Sequence, residues 1–280
     1  MEYKELPSGI IVPADMKRYP IAVDLFAGAG GFSLGFIQAG WEVVAAVEWS
    51  YAAAHTYLLN LGSYPCNIHF TDDEHKKGFN TYLEKQLNNS IRANGRKNGN
   101  NLWHSDFIDM PGTFICGSGW IASKRANGKY FPPVKNFWLC DIKQLTGQMI
   151  LDTLGLQKGD IDCVMGGPPC QGFSRANTKN NKHFDPRNYL VFEFARLVCE
   201  LHPKTFVMEE VPQIATKRTP NGNRVIDELC MIFDRGDYMN YESAMQALGF
   251  SKEKGRNGKL IIKTKEPAKK KTNQLSLLEE

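Results

Sequence analysis

No stretch of about 18 or more apolar residues occurs in this 280-residue chain, which excludes a membrane-spanning helix on sequence grounds. The N-terminus has no signal-peptide pattern, so the expectation is a soluble, cytoplasmic protein without a membrane partner. The seven cysteines (66, 116, 140, 163, 170, 199 and 230) are odd in number and include no C-x-x-C pair. That usage suits a reducing compartment and argues against a structural zinc site. His69, His75, His104 and Cys116 match no ligand spacing either. They read as surface groups, and no metal is expected.

One short stretch stands out against this background. Gly166-Gly167-Pro168-Pro169-Cys170-Gln171-Gly172-Phe173-Ser174 directly follows the apolar run Ile161-Asp162-Cys163-Val164-Met165. Two prolines fix φ, and the flanking glycines let another molecule approach the backbone. A thiol on a stiff turn at the carboxyl end of a strand suits nucleophilic attack on a ligand over the sheet edge. A buried free cysteine beside a Pro-rich turn is the bland alternative.

A second stretch lies upstream. Ile21-Ala22-Val23 leads into Asp24-Leu25-Phe26-Ala27-Gly28-Ala29-Gly30-Gly31-Phe32-Ser33-Leu34-Gly35, which reads as strand, tight loop and helix. Glycines there let a cofactor meet the backbone at the helix start, although the spacing is not that of the dinucleotide fingerprint. Glu48 closes the next apolar run, Val43 to Val47, about 20 residues beyond the glycines, where a doubly wound fold grips a ribose. Trp49 follows and could stack on a purine.

Strand-like runs at 21–26, 43–47, 137–142, 161–166 and 205–211 alternate with helix-like segments at 31–40, 50–60, 187–202 and 223–234. Such alternation predicts an α/β fold, a doubly wound, mostly parallel sheet with helices on both faces. The expected organisation is an N-terminal extension (1–20), a core (21–250) and a basic flexible tail (251–280). Residues 62–136 read as an insertion, with one helix near 76–92 followed by irregular or hairpin structure. Lys76, Lys77, Arg92, Arg96 and Lys97 could touch a nucleic acid from it, although a solvated charged loop is the default.

These elements together resemble the C5-cytosine DNA methyltransferases. The family's cofactor loop matches Asp24 to Gly35, and its ribose acid and adenine-stacking aromatic match Glu48 and Trp49. Its adenine-edge element matches Asp141-Ile142, and its Pro-Cys loop matches Gly167 to Ser174. Asp185 to Leu190 matches the segment after that loop, and Glu209-Glu210-Val211 stands at the family's Glu-Asn-Val. The matching elements keep the family's order over residues 20–212.

The resemblance implies the Rossmann-like fold of S-adenosylmethionine-dependent methyltransferases, with that molecule as cofactor and DNA as partner. It implies Cys170 as a nucleophile adding to cytosine C6 and Glu209 as the acid at N3. It implies cofactor contacts from Phe26, Gly28, Gly30, Glu48, Trp49, Asp141, Ile142, Pro168 and Leu190. Glu210 departs from the family's asparagine. The base would have to leave the duplex for such chemistry.

The family's Gln-x-Arg-x-Arg element and target-recognition region find no counterpart after Val211. A helix is expected at Tyr241 to Leu248, and Lys259 to Lys263 is expected as a strand completing the sheet edge. From Ser251 to Thr272 the chain carries nine Lys or Arg against two Glu. Three explanations compete: one half of a split enzyme, a minimal enzyme of relaxed specificity, or a degenerate copy. Gln274-Leu275-Ser276-Leu277-Leu278 resembles the peptide by which bacterial DNA-handling proteins dock on the replication sliding clamp, with a frayed tail as the bland alternative. An RNA cytosine methyltransferase and a non-catalytic DNA- or clamp-binding protein stay open as other functions.

Overall fold

The computed structural model describes residues 2–6, 11–14, 16, 18–94, 117, 119–126, 128–169, 190–219, 223–234, 250–254 and 260–264. The chain divides into two compact units, Met1–Pro169 with Leu190–Glu210, and Cys170–Tyr189 with Val211–Glu280. Among the described residues, no helix is long and apolar enough to cross a membrane.

A small antiparallel pair, β1 (Tyr3–Glu5) and β2 (Ile11–Pro13), opens the first unit. Then come β3 (Ile21–Leu25), α1 (Gly31–Gln38), β4 (Glu42–Glu48), α2 (Tyr51–Leu61), β5 (Gly62–His69), α3 (Asp73–Asn94) and α4 (Trp120–Ala126). After them follow β6 (Val134–Leu139), a 3-10 turn (Ile142–Gln144), α5 (Gly147–Leu154), β7 (Cys163–Gly166), α6 (Leu190–Leu201) and β8 (Thr205–Met208). The six strands β3 to β8 form one sheet in the order β5-β6-β4-β3-β7-β8, every pairing parallel. The doubly wound, mostly parallel sheet expected from the alternation is therefore present.

All five residues of β3 are buried, as a strand covered on both faces requires. Ala22, Ala46, Phe137 and Met165 share one core with Ile37 of α1 and Tyr57 and Leu58 of α2. Gly166, the next residue along β7, turns to the other face, because side chains alternate along a strand. A Cβ there would lie 2.2 Å from the Leu25 carbonyl oxygen and 3.1 Å from the Phe194 ring of α6. Only glycine lets β7 sit so close to β3 under that helix.

Two departures from expectation are informative. Gly62–His69, placed in the insertion by the sequence reading, pairs with β6 as the sheet's edge. Its polar residues and Pro65 hide it from a search for apolar alternation, and an edge is where a sheet tolerates proline. Leu260–Thr264 does not join the large sheet. It pairs antiparallel with Phe250–Lys254, giving β10 and β9 of a separate hairpin in the second unit. That unit also holds a 3-10 turn (Pro212–Thr216) and α7 (Val225–Asp234). The helix expected at 241–248 lies outside the described residues.

Candidate active site

Parallel strands bring their carboxyl ends to one edge, and four of the sequence-predicted segments leave from there. The β3–α1 turn is the tightest. Phe26 (φ 59), Gly28 (φ 55) and Gly30 (φ 99) all adopt left-handed backbone. A bulky residue there is strained, and such strain gathers at functional loops. The Gly30 amide donates to Ala27 O (2.9 Å), and the Ala27 amide donates to Val47 O (2.9 Å), which binds the turn to the end of β4. A Cβ on Gly30 would strike Leu61 at 2.6 Å, whereas one on Gly28 would meet nothing within 4 Å. Gly30 serves packing. Gly28 presents open backbone.

Glu48 ends β4 beside that opening. Its Oε2 accepts the Gly28 amide at 2.9 Å and its Oε1 accepts the Ser50 amide at 2.6 Å. Each carboxylate oxygen has a further lone pair, so the group can hold the loop and still accept from a ligand. Trp49 follows with 65% of its surface exposed, an unusual cost for an indole unless something covers it. Its ring centroid lies 6.1 Å from that of His75, and His75 Nε2 lies 3.1 Å from Trp49 O. His69 instead stacks on Trp138, centroids 4.5 Å apart.

The end of β6 is tied in by the Cys140 amide, which donates to Glu48 O at 3.0 Å. Asp141 Oδ1 then accepts the Lys143 amide (3.1 Å), capping the short turn on which Ile142 is buried. After β7, Gly167 and the buried Pro168 lead toward Cys170. Glu209 sits just beyond β8, exposed, with its amide donating to Gly166 O at 2.9 Å. A Cβ built on Gly167 would lie 3.6 Å from Glu209 Oε2. Leu190 opens α6, half-buried. Cys170 lies outside the described residues.

One group at this edge has no role among the sequence-predicted site residues. Asp24, the fourth of the five residues of buried β3, is 1% exposed. Its Oδ2 accepts from the Ser33 hydroxyl (2.6 Å) and amide (3.2 Å), and that hydroxyl also pairs with Tyr57 OH at 2.6 Å. Oδ1 has no hydrogen-bond partner among the described residues. Burial pushes the carboxyl up to about 7 against the pull of Ser33, and the Glu48 charge adds to the rise. An acid inside an otherwise apolar strand was the available signal.

The sequence model of the family described as "C-5 cytosine-specific DNA methylase" matches residues 21–85 and 130–276, which include every site residue named above. This chain belongs to that family. The match passes over 86–129, inside the insertion, and continues beyond Val211 through the basic tail. Type II methyltransferase M.AquIA of Picosynechococcus sp. is 49% identical over 189 residues, 68% of this chain and 47% of that relative. Type II methyltransferase M.XorII of Xanthomonas oryzae pv. oryzae is 28% identical over 222 residues, 78% of this chain and 34% of the relative. DNA (cytosine-5-)-methyltransferase M.ApeKI of Aeropyrum pernix is 29% identical over 217 residues, 76% and 33% respectively. This C-5 cytosine-specific DNA methylase chain thus spans between a third and a half of these relatives' lengths.

Proposed function

We propose that the chain transfers a methyl group from S-adenosylmethionine to C5 of cytosine in DNA, through a covalent bond between Cys170 and C6. The observation that carries this reading is the convergence at one sheet edge of Gly28's open backbone, the Glu48 carboxylate, the exposed Trp49 ring and Glu209 beside the start of the Pro-Cys turn.

S-adenosylmethionine, when bound, supplies an electrophilic methyl group. Glu48 would accept from the ribose hydroxyls, Trp49 and Ile142 would hold the adenine, and Asp141 would accept from its exocyclic amine. Phe26, Gly28 and Gly30 would hold the methionine end, with Pro168 and Leu190 completing the cofactor's contacts. Cytosine C5 is a weak nucleophile, so the Cys170 thiolate first adds to C6 and makes C5 electron-rich. Glu209 helps by hydrogen-bonding or protonating N3. Once the methyl is on C5, a base, water or a side chain, takes the C5 proton, and the released electron pair re-forms the C5–C6 double bond as the Cys170 thiolate is expelled. The target base is flipped out of the duplex to reach these groups.

Residues 1–20 are an extension, 21–250 the catalytic core and 251–280 a basic arm in this reading. The enzyme works in the cytoplasm on nucleoid DNA. A second chain supplies target recognition, and Gln274–Leu278, outside the described residues, docks on the sliding clamp. Incubation of the purified chain with tritium-labelled cofactor tests the reading, using mixed DNA or folded RNA, with and without the product of the adjacent reading frame. Label is expected at C5 of cytosine in DNA. Label in RNA alone would replace DNA as substrate, and no label in any arm would favour a non-catalytic binding protein.

A further inference from the structure

Arg196 of α6 is 6% exposed, beside a fully buried Glu193. Its Nε donates to Glu193 Oε2 at 2.7 Å and its Nη1 donates to Glu200 Oε1 at 2.8 Å. Nη2 lies 2.7 Å from the same Glu193 oxygen and also reaches off the helix. Nη2 donates to the carbonyl oxygens of Ile142 and Leu145, each at 2.9 Å. Glu200 continues the pattern, its Oε2 accepting the Gly147 amide at 2.6 Å. A Cβ on Gly147 would lie 2.6 Å from that of Glu200, so α5 starts in contact with α6. Three backbone groups of one segment are therefore held by one ion cluster.

Ion pairs three and four residues apart on an exposed helix do little. The Arg196–Glu193 pair is buried and Glu200 half-buried, and a buried ion pair gains little stability over apolar side chains of similar volume. What the planar guanidinium adds is fixed donor directions, which a flexible apolar or lysine side chain lacks. Those directions end on the turn that begins with Asp141 and Ile142. The Asp141 carboxylate is itself oriented by the Lys143 amide of the same turn. Rotation of the turn's backbone would carry both the Asp141 acceptor and the Ile142 side chain with it.

We propose that Arg196 is a positioning residue for cofactor recognition, holding Asp141–Leu145 so that the adenine edge and face are read together. The inference rests on the cofactor reading above. Selectivity between two ligands separates it from a general loss of folding, because a smaller folded fraction weakens both ligands equally.

The experiment measures binding of S-adenosylhomocysteine and its inosine counterpart, which lacks the exocyclic amine, to the full chain by calorimetry. Wild type is expected to favour the adenine form by about tenfold or more, the effect of a hydrogen bond to a charged acceptor. In Arg196→Met that preference should shrink to about twofold, with Arg196→Lys between the two. Glu200→Gln, which keeps the buried guanidinium, serves if Arg196→Met does not fold, and should also lower the ratio. A folded variant that binds both ligands more weakly but keeps the wild-type ratio would overturn the positioning role while leaving the cofactor reading intact. Wild type binding neither ligand would remove the cofactor reading, and the inference with it.

Discussion

The amide of Glu209 donates to the carbonyl of Gly166 at 2.9 Å, so the end of β8 is fastened to the residue from which the Pro-Cys turn departs. Gly166 is in turn pressed between the Leu25 carbonyl and the Phe194 ring, where no side chain fits. Glu209, the start of the Pro-Cys turn and the end of β3 thus form one backbone assembly. Its rigidity comes from parallel pairing, with β3, β7 and β8 adjacent in register. A site built on such strand ends holds its geometry better than one built on loops alone.

Cys170 is expected to form a gel-stable adduct with DNA carrying 5-fluorocytosine, where fluorine prevents the final elimination. Cys170→Ser should abolish it, because a hydroxyl is far less ionised than a thiol near neutral pH. An adduct that persists in the serine variant would assign the attack to another nucleophile.

Glu48→Ala should weaken S-adenosylhomocysteine binding by more than about tenfold, since hydrogen bonds to a charged acceptor are worth roughly 1.5–3 kcal/mol each. Part of the loss comes through the Gly28 and Ser50 amides, which the substitution leaves without their carboxylate. Glu48→Gln keeps one acceptor oxygen but turns an amide group toward one of those N–H donors, so intermediate affinity is expected. Equal calorimetric affinity in wild type and Glu48→Ala would remove Glu48 from the ribose site.

What the sequence made legible follows from physics that is local. The buried strands β3 and β7 read as apolar runs, and Glu48 reads as an acid closing one. The helix near 76–92 read correctly as well, and Asp72 caps it through the His75 amide at 2.6 Å. The edge strand β5 did not, because a half-exposed strand carrying Pro65 has no apolar period. α5 is marked by its ends rather than by its length, with a Thr146 cap at one end and left-handed Gly155 (φ 65) at the other. The Asp24–Ser33–Tyr57 chain was illegible for another reason. Its members lie 9 and 24 residues apart, and only the fold sets them side by side. Arg196 reads on paper as one more helix charge, yet it reaches carbonyls 54 and 51 residues upstream.

Asp24 makes stability depend on pH. Its carboxyl is raised from 3.8 to about 7 in the folded state. Below about pH 4 both states hold the proton and the group contributes nothing. Between about 4 and 7 the folded state keeps a proton that the unfolded chain releases, so stability falls as pH rises, and the full cost is present above about 7. The cost is at most roughly 4 kcal/mol at 1.36 kcal/mol per unit. Asp24→Asn cannot ionise, so its urea midpoints at about pH 5 and about pH 8 should lie closer together than those of wild type. An unchanged difference between the two midpoints would show that Asp24 is not the titrating group.

Binding of DNA by the chain alone should rest on phosphate contacts and depend steeply on salt. The basic residues after β10 (Lys265, Lys269, Lys270 and Lys271) can reach phosphates without reading bases. Removal of residues 265–280 leaves the hairpin Phe250–Thr264 whole, which a cut at residue 252 would not. Each phosphate that is no longer neutralised should lower the slope of log affinity against log salt by about 0.9, so a drop approaching 3–4 is expected if all four lysines engage. Affinity for S-adenosylhomocysteine should stay unchanged, because the groups assigned to the cofactor all lie before residue 200. The same deletion removes Gln274–Leu278, but a clamp-docking peptide has no partner in a binding assay of purified protein and DNA. A slope that does not change would place the phosphate-binding groups elsewhere, with the exposed Lys76 and Lys77 of α3 next to be substituted. Methylation of a single defined site by the isolated chain at high salt would be a different failure. It would place base reading within this chain and remove the need for a second one.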